Sequence, residues 1–158
     1  MKNTFKRSGA ALISLVLLLV LAVSAGAASS QNVGVKFWKE RSDKESMANS
    51  GIDSNRTATL TRQANGTYTL TLPVMQVSKL GVTGYLSGLT IGDVTYDGTL
   101  TGDFNKATAV LTIKNLPASV LTGSDPSKAL AVTCSIKMDT ILLGDIATSA
   151  KMSIWVER

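Results

Sequence analysis

The chain has 158 residues, with 16 lysines and arginines against 11 acidic residues, no histidine and one cysteine. That length suits a single domain. The missing histidine excludes a Ser-His-Asp triad, a Cys-His pair and His-bearing zinc sites, and a lone cysteine excludes an intramolecular disulfide and a Cys-rich metal cluster.

Residues 1–27 read as a signal peptide. Lys2, Lys6 and Arg7 precede a small-apolar run over 10–23 broken only by Ser14, and Ala25-Gly26-Ala27 places small residues at the −3 and −1 positions of a cleavage site. The run is shorter than the roughly 20 apolar residues of a transmembrane helix; the alternative is an uncleaved N-terminal anchor. Cleavage near Ala27-Ala28 implies secretion and leaves one domain over 28–158 with no transmembrane span. No wall-sorting motif precedes Arg158. Three of the basic residues lie in the signal, so the mature chain carries 13 against 11, or +2. Its lysines are dispersed, which gives no nucleic-acid footprint. A mature chain of about 130 residues can bury a core without disulfide staples.

In chain order, Val33, Val35 and Phe37 alternate as a first strand. Residues 38–50 then break the β pattern with a short helical excursion that carries Met47 among charged and small polar residues. Residues 56–63 and 67–77 alternate again, and Asn65-Gly66 between them predicts a hairpin, with both residues tolerating the positive φ of a type I′ turn. Residues 80–101 are glycine-rich strand. Their glycines mark bulges or close backbone approach, and Asp97-Gly98 reads as a turn. Strands follow over 107–115, 129–138 and 148–157. Cys134 falls in the apolar alternation of 129–138 and reads as a small buried hydrophobe, the alternative being a reactive thiol. The fold class is all-β: an immunoglobulin-like antiparallel β-sandwich of seven to eight strands with one short helix after the first strand.

Chemistry is sparse. Asp93, Asp97 and Asp103 sit in Gly- and Thr-rich sequence and read as turn residues, and the oxygen-ligand spacing of a calcium loop is absent. No enzyme is expected.

The segment from Trp38 through Ser46-Met47-Ala48-Asn49, between the first two strands of a secreted β-sandwich, resembles NEAT domains, as does the strand order including Gly84-Tyr85-Leu86. These are immunoglobulin-like modules of Gram-positive bacteria that bind haem or haemoproteins for iron acquisition. The resemblance implies that Ser46 and Met47 form a lip contacting a porphyrin; the plainer alternative is that Met47 pins the short helix to the sandwich. Haem-binding members carry Tyr-x-x-x-Tyr at the start of the last strand. Here Ile146 and Ala150 stand at those positions, and Tyr68, Tyr85 and Tyr96 lie elsewhere. Methionine is an alternative axial ligand, so Met47 with Met152 is the expected iron-bracketing pair, against the alternative that Met138 and Met152 fill the core. The connection 139–146 supplies Ile141, Leu142 and Ile146 as the opposing apolar wall, unless it merely extends the strand and is covered. The expectation is a hydrophobic groove for haem or a related tetrapyrrole. The alternative is a cofactor-free module that binds other secreted or cell-surface proteins.

Overall fold

A computed structural model describes residues 28–79, 81–140 and 144–158. The signal-peptide reading of residues 1–27, and the assignments of Ile141 and Leu142, lie outside those residues. Nine antiparallel strands are described: β1 (Ser29–Lys39), β2 (Ala58–Arg62), β3 (Tyr68–Pro73), β4 (Val77–Lys79), β5 (Val82–Ile91), β6 (Val94–Thr101), β7 (Val110–Leu116), β8 (Leu130–Met138) and β9 (Ile146–Val156). Three short 3-10 turns, Met47–Gly51, Ala118–Val120 and Pro126–Lys128, interrupt them. Among the described residues no helix is long and apolar enough to cross a membrane.

The strands form one sheet in the order β4-β5-β6-β7-β3-β2-β1-β9-β8, and a further ladder between β5 and β8 closes eight of them into a barrel-like ring. This continuous ring stands where two separate sheets were expected. Strand β5 is the seam. Gly84 pairs with Val77 of β4 on one side and Met138 of β8 on the other, while Gly88 pairs with Asp97 of β6 and with Ser135 of β8. Strands β4 and β6 therefore share one edge of β5 at opposite ends, and β8 occupies the other edge.

Strand alternation sends one face of each strand inward. Phe37, Leu70, Leu72, Leu89, Leu111, Ile113, Cys134, Met152 and Ile154 are fully buried there in a single cluster. Several turns depart from expectation for physical reasons. The β2–β3 hairpin forms, with Gly66 at φ 83° and its N–H donating to the Gln63 carbonyl at 3.0 Å, but Asn65 does not adopt a positive φ. The loop is thus a three-residue connection with glycine alone in the left-handed region, instead of a type I′ turn. Asp97-Gly98 is no turn: it lies inside β6, and a Cβ on Gly98 would collide with the Leu111 side chain. Glycine there admits a core leucine. The bend after β5 uses Gly92 at φ 59°.

Candidate functional site

The inward faces of β5, β8 and β9 continue past the core to an open end of the ring. Ile136 pairs with Leu86 on one side and Ile146 on the other, and Met138 pairs with Gly84. Along this end Leu86 stays buried, while Ile136 and Met138 are half-buried and Ile146 is exposed. They enclose an apolar pocket of about 310 Å³ with Met47, Ala48 and Gly51 of the first 3-10 turn, Val77 and Lys79 of β4, Val82, Tyr85 and Thr148. That volume is at the lower end of the ~300–1,000 Å³ range for small-molecule sites, which suits a groove that leaves part of its ligand outside.

The lip is tied to β1 by one side chain, beside the backbone bond from the Ser46 N–H to the Phe37 carbonyl at 3.0 Å. Asn49 Oδ1 accepts from the Phe37 N–H at 2.8 Å, and Asn49 Nδ2 donates to the carbonyls of Phe37 at 2.7 Å and Ser46 at 3.1 Å. Asn49 thus docks on β1 as a neighbouring strand would. Ser46 caps the turn, its Oγ accepting from the Ala48 N–H at 3.2 Å. With its base pinned in this way, the turn projects Met47 outward, 61% exposed, over the pocket. Ile146, 45% exposed, stands at the opposite rim. Large apolar side chains exposed on both sides of an apolar cleft are unusual on a soluble surface and mark contact sites.

On the floor, Met138 lies over β5. A Cβ on Gly84 would fall 2.8 Å from Met138 Sδ, so the absent side chain makes room for the thioether. Tyr85 borders the pocket and packs its ring on Phe104, with centroids 5.2 Å apart. The one charged side chain of the lining is Lys79, whose Nζ donates to Met47 Sδ at 3.8 Å.

The structure brings Met47 and Ile146 to one pocket. Ser46 is a cap and does not line it. Met152 does not reach it either: it is fully buried, paired with Phe37 on β1 and Leu130 on β8. The expected Met47–Met152 pair is therefore corrected. Met152 shares a face with Ile146 but lies six residues along the strand, about 20 Å at ~3.3 Å per residue. Met138, which the alternative reading placed in the core with Met152, is the methionine that shares the pocket with Met47. Cys134 is fully buried, and desolvation pushes its thiol up to about 12, so it stays protonated and inert at neutral pH. No group of three His, Cys, Asp or Glu side chains able to hold a metal ion occurs among the described residues.

A solved structure of a point mutant of the IsdX2 NEAT5 domain in complex with heme superposes with TM-score 0.54 at 12% identity, covering 84% of this chain and 99% of that one. The NEAT5 domain of IsdX2, a B. anthracis hemophore, in complex with heme superposes with TM-score 0.50 at 11% identity over the same shares. The fold is NEAT-like. No family model matches the chain, and no curated protein matches it. In this NEAT-like frame, the seam of the ring and the 3-10 turn after β1 together shape the pocket.

Proposed function

We propose that the protein is a secreted binding domain that holds haem or a related flat tetrapyrrole in the pocket beneath Met47, in the service of iron acquisition. The observation that carries this reading is the pocket itself. It is almost wholly apolar, open along one side, and bounded by exposed Met47 on one rim and Ile146 on the other. The ring is read as a flattened immunoglobulin-like sandwich, with the pocket at one end. Binding, rather than catalysis, is the role.

The residues present suit haem on their chemistry. Apolar walls accept the porphyrin faces, and Met47 and Met138 offer two thioethers, a donor type that ligates haem iron. Bound haem would supply a coordinated iron; the chain's own residues contribute the walls, the lip and the soft donors. Ile146, at the position of the family's ligating tyrosine, contributes an apolar contact in its place.

A second reading has its own observation. A thioether pair replacing a phenolate equally suits a domain that uses the exposed Met47 and Ile146 rims to grip another secreted protein and binds no cofactor. Titration of the purified protein with hemin separates the two. The haem reading predicts a saturable change in the Soret region at one equivalent. A titration indistinguishable from hemin in buffer would overturn it and favour the protein-binding module.

A further inference from the structure

Lys79 stands out as the one charged side chain in a lining that is otherwise almost wholly apolar. It ends β4, a three-residue strand paired only to β5, and its side chain is exposed at the rim. Among the described residues it makes no ion pair, although Lys36 and Lys151 each find a carboxylate. Its ammonium instead rests on Met47 Sδ at 3.8 Å, a weak acceptor for a full positive charge. A carboxylate is a much stronger acceptor for that group. The pocket thus has an apolar body and a single cationic corner, the complement of an amphiphile with a flat or elongated apolar part and an acidic edge.

Building on the tetrapyrrole reading of the pocket, we propose that Lys79 anchors a carboxylate of the ligand and, in doing so, leaves the Met47 thioether. In the empty protein the ammonium occupies the sulfur of the lip. A ligand acid group draws it off that sulfur, which fixes the ligand's orientation and frees the Met47 thioether for contact with the ligand face. Lys79 is a positioning residue: it selects acids over their neutral esters and couples that selection to the lip.

Metal-free protoporphyrin and its dimethyl ester test this without any contribution from iron, with binding followed by porphyrin fluorescence. The wild-type protein is expected to favour the diacid about two- to fivefold, the scale of an exposed ion pair, and the preference should shrink as salt screens it. Lys79→Gln should bring the ratio to one, and Lys79→Arg should restore it. Equal binding of acid and ester by the wild type, or an unchanged preference in Lys79→Gln, would overturn the inference while leaving the pocket reading intact. Failure of both porphyrins to bind would overturn the pocket reading and the inference with it. Palmitate that displaces the porphyrin at comparable concentration, in a Lys79-dependent way, would assign the anchor to a linear lipid acid and overturn the tetrapyrrole assignment.

Discussion

Asn49→Ala is the most revealing single change outside the pocket. The side chain makes two hydrogen bonds to Phe37 of β1, at 2.8 and 2.7 Å, and a third, at 3.1 Å, to the Ser46 carbonyl that begins the Met47–Gly51 turn. Their loss is uneven. The Phe37 carbonyl still accepts from the Ser46 N–H at 3.0 Å, and the Ser46 carbonyl still accepts from the Asn49 N–H at 3.2 Å. The Phe37 N–H, by contrast, loses its partner. An orphaned backbone donor costs about 1–3 kcal/mol and the two redundant bonds add about 1 kcal/mol together, for a total near 3 kcal/mol. For a domain of this size that lowers Tm by about 10 °C. Asn49→Asp is a sharper version, because it keeps the acceptor for Phe37 N–H but turns a carboxylate toward two carbonyl oxygens. Calorimetry and urea denaturation measure both variants, with porphyrin affinity as the second readout. Both should be destabilised, and both should bind porphyrin more weakly because the lip is no longer held. A Tm within 2 °C of the parent for Asn49→Ala, or an Asn49→Asp variant of parental stability, would refute the view that this side chain holds the lip.

Further outcomes follow from the same geometry. Met152→Ala should cost about 2–5 kcal/mol as a core truncation, whereas Met47→Ala, on an exposed residue, should stay within about 0.5 kcal/mol of the parent in urea denaturation. Gly84→Val should push Met138 across the pocket, since even a Cβ there meets Met138 Sδ at 2.8 Å and the Lys137 carbonyl at 3.0 Å; porphyrin binding should fall at least about tenfold. Burial raises the Cys134 thiol from 9.0 to about 12, so the folded state retains a proton that the unfolded chain releases. That contribution is complete below pH 9 and is lost as pH rises toward 12, so denaturation midpoints should fall across that window. Cys134→Ser should flatten that alkaline decline.

Much of the strand pattern is legible in the residues because alternation and glycine turns act locally. The β2–β3 hairpin follows from apolar alternation on either side of Asn65-Gly66. The turn type does not, because it depends on whether Asn65 joins Gly66 in the left-handed region, and only Gly66 does. Asp97-Gly98 looks like a turn in sequence because the same glycine that permits positive φ also permits close packing. Only the position of Leu111 distinguishes the two. Closure of the ring through β5 and β8 joins residues about fifty positions apart and has no local signature. The pocket inherits that difficulty. Met47 is conspicuous as an apolar residue in a polar break, and Ile146 by its place at the start of the last strand. Met138 and Lys79 enter only through the β4–β5–β8 register. Met152 illustrates the converse: alternation assigns its face correctly but says nothing about depth along the strand, and depth puts it in the core.

The central claim, that Met47 and Met138 face one tetrapyrrole site from which Met152 is excluded, is tested most directly by the absorbance spectrum of the hemin-saturated protein and three single variants. Met47→Ala and Met138→Ala should each change the position or intensity of the bound Soret band, while Met152→Ala, held under conditions where it remains folded, should retain the parental spectrum. An unchanged band in both Met47→Ala and Met138→Ala, with a shifted one in folded Met152→Ala, would contradict the account.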